Sequence, residues 1–341
     1  MEIYYPLKHK EHNPAYEGYT ADCNTPALEI PERADLVVRV LENKRWANIS
    51  QPKEFGFDSI HAIHSKAYLA YLENAYDEWK NISPVHGMAF IPGTFGISPE
   101  EVAAGIIAEE AGFFLLDTTV GITAGTYPAA LQSAFAALSG AEEIANHQSS
   151  AFAVCRPPGH HAGHEICGGY CFLNNASIAA NWLSQKGQVG ILDIDFHAGN
   201  GTQEIFYDRP DVFMISIHAD PAREYPRYAG FTEEVGSNAG KGYHKNFPLP
   251  AGIGDSEYLS TLKEALTLLT NFSPAYLIVS AGMDIYREDP LGDFKVTKKG
   301  IREIGNQISK LSLPTLIVME GGYHLPTLGE NFSNLIEPFS T

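Results

Sequence analysis

The chain has 341 residues, 44% hydrophobic and 19% charged, ordinary values for a globular protein with a sizeable core arranged as one large α/β domain or two small ones. Its 41 acidic against 23 basic residues give a formal charge of −18, which argues against a nucleic-acid partner and, beyond solubility, attracts small cations. Four cysteines, the absence of a long apolar run and an N-terminus (Met1-Glu2-Ile3-Tyr4-Tyr5-Pro6) without the order of a secretory signal point to a cytoplasmic chain with no disulfide framework and no membrane span.

No stretch reads as a domain linker and no internal repeat is present. The first distinctive segment is 81–123, where Pro84, Pro92, Pro99 and several glycines mix with Phe90, Ile91, Phe113, Phe114 and Leu115. A long, partly apolar insertion of this kind shapes an active-site entrance or an oligomer interface, or else is a packed surface loop. Thr126, ahead of Tyr127-Pro128, starts a helix with Leu131, Phe135 and Leu138 inward. Short strands rich in β-branched and aromatic residues follow at 150–157, 189–196, 211–218, 275–282 and 313–319. Their alternation with helices is the pattern of a parallel sheet covered on both faces. One such helix is capped by Asp255 or Ser256 and turns Leu259, Leu262, Leu266 and Leu269 inward; another opens at Thr297 and buries Ile301, Ile304, Ile308 and Leu311.

Four of the strands run into clusters of polar, metal-competent residues. The first leads to Gly159-His160-His161, the second carries Asp193, Asp195 and His197, the fourth stops at Asp284, and the last enters Glu320-Gly321-Gly322-Tyr323. Loops at the carboxyl ends of parallel strands form the ligand crevice of open α/β sheets, so these distant segments converge on one pocket. Residues i and i+2 of a strand share a face, which aims Asp195 and His197 at one point, with Asp193 continuing the face. Buried charge in an apolar strand needs compensation, and a metal ion is the simplest source; the alternative is a buried Asp–His pair without metal. Asp284, otherwise a helix cap, completes a set of two carboxylates and one imidazole. That set suits catalytic Zn2+ with an open position, and equally Fe2+, Mn2+ or Co2+.

His160 and His161 read as a general acid–base pair beside the ion. A zincin-like helix through His160 and His164 is opposed by Gly159, Gly163 and by His161 where a glutamate is needed. Tyr323 suits a hydrogen-bond donor to a developing oxyanion. Cys167-x3-Cys171 is half of a zinc knuckle without its second half, or simply small residues packed near the site. Gly199-Asn200-Gly201 lacks the third glycine of a dinucleotide site, and neither a Walker sequence nor a Gly-x-Ser-x-Gly elbow occurs.

Cys155-Arg156-Pro157-Pro158-Gly159-His160-His161-Ala162, Asp193-Ile194-Asp195-Phe196-His197, Ser280-Ala281-Gly282-Met283-Asp284 and Glu320-Gly321-Gly322-Tyr323 resemble, in order and spacing, the motifs of the arginase/deacetylase superfamily on its zinc-dependent histone deacetylase side. Overall length, the segment ahead of the first motif and Gly168-Gly169-Tyr170-Cys171-Phe172 are most similar to the bacterial acetylpolyamine amidohydrolases. The resemblance implies one α/β domain over residues 1–341, built on a central eight-stranded parallel sheet. It implies zinc held by Asp195, His197 and Asp284, and hydrolysis of acetylputrescine, acetylcadaverine or acetylspermidine. It makes His161 the base toward water and then the acid toward the leaving amine. His160 is electrostatic and held by Asp193. Asn200 accepts from His161, at a position where relatives carry Asp or Asn, and a neutral Asn leaves His161 less basic. Tyr323 polarises the amide carbonyl.

Gly169, Tyr170 and Tyr225 match residues that line a narrow acyl tunnel, with Leu291 near its mouth. Asp117 matches a rim acid for the distal ammonium of a small cationic substrate; Glu109 and Glu110 are further candidates, reaching across a homodimer. Two K+ sites carry over by the same resemblance. The first uses Asp193, Asp195, His197, Ser216 and Ile217; the second uses Phe206, Arg209, Val212 and Tyr243. One departure is His197-Ala198-Gly199, where the family usually has His-His-Gly, and loss of a supporting residue commonly weakens metal affinity or activity. Rival readings are protein acetyl-lysine deacetylation, a catalytically weak acetyl-group binder motivated by Ala198, and an arginase-like dimanganese hydrolase.

Overall fold

A computed structural model describes residues 1–20, 23–82, 89 and 112–340. The strands, in chain order, are β1 (Glu2–Tyr4), β2 (Tyr16–Thr20), β3 (Cys23–Pro26), β4 (Asn48–Ser50), β5 (Ser150–Ala153), β6 (Val189–Asp193), β7 (Val212–Ala219), β8 (His244–Leu249), β9 (Tyr276–Ala281) and β10 (Thr315–Met319). Eight of them form one sheet in the order β4-β1-β5-β10-β9-β6-β7-β8, every pair parallel. An antiparallel ribbon of β2 and β3 stands apart. The helices are α1 (Glu32–Leu41), α2 (Asp58–His61), α3 (Lys66–Ile82), α4 (Thr126–His147), α5 (Asn175–Ser184), α6 (Asn200–Phe206), α7 (Asp255–Phe272), α8 (Lys298–Ser309) and α9 (Leu325–Ile336).

Strand alternation divides the core between the two faces of the sheet. Val189, Ile191, Ile278, Leu316 and Val318 pack with residues of α3, α4 and α5. Leu192, Leu277, Val279, Ile317 and Met319 pack with residues of α1, α7, α8 and α9. No helix among the described residues is long and apolar enough to cross a membrane.

The five strands read from the sequence all form, and four of them, β5, β10, β9 and β6, are consecutive neighbours at the centre of the sheet. Their carboxyl ends therefore open side by side. β1 and β4 are too short to display alternation, and β8 carries Pro248, which an edge strand tolerates because its outward N–H need not pair. One expected cap differs. Asp255 lies inside α7, whose N-cap is Gly254, and its carboxylate instead accepts from Thr297 N and Oγ1, both at 2.7 Å. It ties α7 to the start of α8. Thr297 caps α8 as expected, accepting from Gly300 N at 3.1 Å.

Candidate active site

β6 ends at Asp193, so Asp195 and His197 lie in the turn beyond the strand rather than on its face. Two successive side-chain-to-backbone bonds shape that turn. Asp193 Oδ1 accepts from Asp195 N at 3.1 Å, and Asp195 Oδ1 accepts from His197 N at 2.9 Å. Such Asx bonds supply the partners that a strand ladder would otherwise provide. The other strand ends close on this turn: Asp284 Oδ1 accepts from Phe196 N at 3.0 Å, and Asp195 Oδ2 from Gly321 N at 2.8 Å. Only glycine permits the approach, because a Cβ on Gly282 would lie 2.0 Å from Asp195 Oδ2 and one on Gly321 2.5 Å from Asp284 Oδ2.

Ligand-type atoms of Asp195, His197 and Asp284 all lie within 4.8 Å of one another. His197 Nδ1 is 3.3 Å from Asp195 Oδ1 and 3.1 Å from Asp284 Oδ2. Both carboxylates are wholly buried. Burial, reinforced by the charge of Asp195, pushes Asp284 up to about 7. Burial also opposes ionisation of Asp195, but the His160 charge and the bond to His197 hold it below its usual range. His197 rises to about 10 against burial, through its bonds to Asp195 and Asp284. Two carboxylates so close cannot both ionise unless positive charge sits among them, and a divalent cation would let both do so with a neutral imidazole. The residues present fit such an ion.

A second grouping, His160, Cys171 and Glu320, is equally close but fits less well. Glu320 Oε2 already accepts from Gly159 N (2.7 Å) and His160 N (3.1 Å), and burial pushes the Cys171 thiol well up, keeping it protonated. The two cysteines of Cys167-x3-Cys171 are buried free thiols.

The paired imidazoles stand beside the carboxylates, their ring centroids 3.9 Å apart. His160 Nδ1 is 3.1 Å from Asp193 Oδ2, and His161 Nδ1 is 2.7 Å from Asn200 Oδ1. Burial favours neutral rings for both. Asp195 and Asp193 overcome it at His160, which rises to about 10. At His161, burial and the His160 charge act together and lower the pKa well below the usual value. The pair is thus split into one cationic and one neutral ring, although the two are chain neighbours. His164, the partner of the rejected zincin-like helix, points elsewhere, with Nδ1 2.5 Å from Ile63 O.

Tyr323 is held from two directions. Asp289 Oδ2 accepts from its N–H at 2.6 Å, and the Arg33 guanidinium lies 4.6 Å from its ring centroid. Arg33 also donates to the carbonyls of Gly322 (2.7 Å) and Glu320 (2.6 Å), and is itself paired with buried Glu29 at 2.8 Å. Burial pushes the Tyr323 phenol well up, so it remains a donor.

These groups face a cavity of about 160 Å³ whose polar end is His160, His161, Asp195, His197 and Tyr323. Gly169, Tyr170, Tyr225 and Leu291 form its walls together with Pro158, Thr119 and Gly321. Asp117 stands behind the wall. Its Oδ1 accepts from Thr119 N (2.8 Å) and Oγ1 (2.6 Å), and its Oδ2 from Tyr225 Oη (2.7 Å) and Gly169 N (3.0 Å). All four acceptor positions of the carboxylate are taken. Glu17, which the sequence reading did not single out, accepts from Tyr170 Oη at 2.9 Å and brings a second carboxylate to the wall. Glu109 and Glu110, like most of segment 81–123, lie outside the described residues.

Of the residues expected to hold K+, Asp193 and Ser216 pair across β6 and β7, next to Ile217. Phe206 and Arg209 form one turn, Arg209 N donating to Phe206 O at 3.1 Å. Val212 begins β7, and Tyr243 O accepts from Met214 N at 3.1 Å. Ala198 is buried against the backbone of Gly230 (φ +104), where a Cβ would lie 2.6 Å from that of Ala198.

A parallel sheet with two acids, an imidazole, a histidine pair and a tyrosine at its central strand ends defines a metal-dependent hydrolase, and residues 27–338 match the histone deacetylase domain. The chain belongs to the histone deacetylase family, and membership implies a divalent metal. Acetylpolyamine amidohydrolase 2 of Pseudomonas aeruginosa is 40% identical over 321 residues, covering 92% of each chain. The acetylpolyamine amidohydrolase of Mycoplana ramosa is 37% identical over 342 residues, covering 99% of each. A crystal structure of acetylpolyamine aminohydrolase from Burkholderia pseudomallei superposes with a TM-score of 0.95 at 36% identity, covering 100% of this chain and 99% of that one.

Proposed function

We propose that the chain hydrolyses the acetamide of small acetylated polyamines, such as acetylputrescine, acetylcadaverine or acetylspermidine, to acetate and free amine. The observation that carries the reading is the small cavity lined by Asp195, His197, His161 and Tyr323, together with relatives named acetylpolyamine amidohydrolases at 37–40% identity over nearly the whole chain. In this reading Asp195, His197 and Asp284 hold the ion, which supplies Lewis acidity toward the carbonyl and makes water a stronger acid. The mixed oxygen and nitrogen donors suit zinc.

The chain's own residues do the rest. Tyr323 donates its phenolic hydrogen bond to the carbonyl oxygen, which becomes an oxyanion as water adds. His161 begins neutral, with Nδ1–H given to Asn200 Oδ1, so its Nε2 is free to take the proton from the attacking water. The same nitrogen then returns that proton to the leaving amine as the C–N bond breaks. His160, cationic and fixed by Asp193, lowers the energy of the negative charge that builds beside it. The formal charge of −18 draws in a cationic amine. Glu17 and Asp117, behind Tyr170 and Tyr225, add negative potential near the cavity.

The finer parts of the proposal are K+ at the two sets named above and a cytoplasmic homodimer, with segment 81–123 narrowing the entrance. Its described end supports the last point, since Thr119 lines the cavity and Asp117 orients Tyr225. Turnover of acetylcadaverine should exceed that of an acetyl-lysine peptide by at least about tenfold in kcat/KM, an ordinary discrimination for a shaped site. Acetate release from the two substrates measures it. A preference for the peptide would replace the polyamine reading with protein deacetylation.

A further inference from the structure

Asn200 makes three contacts that fix its amide. Oδ1 lies 2.7 Å from His161 Nδ1, while Nδ2 donates to Tyr228 Oη at 2.8 Å and to the His161 carbonyl at 3.4 Å. The carbonyl can only accept, so it selects the rotamer in which Oδ1, not the amino group, faces the imidazole. Tyr228 takes the second amide hydrogen. Without it, a donor on a residue that is 4% exposed would have no partner.

Tyr228 is itself 53% exposed and is not among the cavity walls. Its position comes from the loop that carries it. Glu234 Oε2 accepts from Gly230 N (2.6 Å), Phe231 N (2.8 Å) and Gln203 Nε2 (3.0 Å), which pins the loop to α6 just beyond Asn200.

We infer that Tyr228 is a positioning residue for the acid–base histidine: its hydroxyl holds the Asn200 amide so that Oδ1 accepts from His161 Nδ1–H and Nε2 stays free to accept a proton. A ring nitrogen's protonation is set by the bond its partner nitrogen makes. An amide that rotates or flips offers N–H to Nδ1 and moves the proton to Nε2, where it blocks the first step. An aspartate at 200 has no such second orientation, because either oxygen accepts.

This inference rests on the role of His161 proposed above, and is therefore read on whichever acetamide, acetylcadaverine or an acetyl-lysine peptide, the wild-type chain turns over faster. A wrong substrate assignment then leaves it intact. Tyr228→Phe, which keeps the ring and removes the hydroxyl, is expected to lower kcat about tenfold, the rate equivalent of one ordinary hydrogen bond, with KM, Tm and metal content unchanged. In an Asn200→Asp background the same change should alter kcat by less than about twofold, the non-additivity expected of two residues acting as one unit. A kcat within about twofold of wild type for Tyr228→Phe alone would overturn the inference, as would an equal loss in both backgrounds, which would mean that Tyr228 only stabilises its loop. Asn200→Asp without any turnover would also overturn it, since the residue would not then act as a simple acceptor.

Discussion

His161→Ala should lower kcat for acetamide hydrolysis by about 10²–10⁴-fold, the range for loss of a positioned general acid–base group, with the metal content and Tm of the wild-type chain retained. In the proposed mechanism the imidazole serves both proton transfers, yet it is not among the three residues whose donor atoms cluster for an ion. Its neutrality follows from burial and from the cation next to it, His160, so the side chain starts as a base at neutral pH. Steady-state acetate release gives kcat, and elemental analysis of the same sample gives the metal. A loss smaller than about tenfold would place the proton chemistry on another group.

Tyr323→Phe should lower kcat by about 10²–10³-fold, as removal of one oxyanion donor typically does, with a much smaller change in KM. The replacement is mild structurally. The backbone bond to Asp289 and the contact with Arg33 both survive in a phenylalanine, since they use the amide N–H and the ring face. Only the donor is lost. Because burial keeps the phenol protonated, it is available as a donor throughout the working pH range. A variant with unchanged kcat would mean that the phenol does not touch the developing oxyanion.

Much of the central site was legible in the sequence because its chemistry is clustered. A histidine pair between prolines and glycines, two acids and an imidazole after an apolar run, and a tyrosine after two glycines are each hard to place as packing. The parallel sheet was legible for a related reason, since five strands showed continuous apolar character. The detail that failed was local. The sequence pattern suggests strand alternation as the device that aligns Asp195 with His197, whereas two Asx bonds do so beyond the strand end. Both devices bring i and i+2 side chains together, so the sequence pattern could not separate them.

Glu17, Arg33, Asp289 and Tyr228 carry no signal in the sequence for another reason. Each is an ordinary polar residue in an unremarkable segment, and each matters only through a partner far along the chain. Arg33 meets the Glu320–Gly322 carbonyls from 287 and 289 positions away, and Glu17 meets Tyr170 across 153. Asp117 shows the same limit from the other side. Its acidic character was visible, but that its carboxylate is spent on Thr119, Gly169 and Tyr225 depends on how three segments pack.

The most direct test is the metal content and acetate release of the chain before and after chelation. One divalent ion per chain is expected, bound by Asp195, His197 and Asp284. Acetate release should fall at least about a hundredfold when the ion is stripped and return when an equimolar amount of Zn2+ is restored, while Asp284→Asn should fail to retain the ion. Undiminished acetate release from the stripped chain, or a full equivalent of ion in Asp284→Asn, would contradict the assignment.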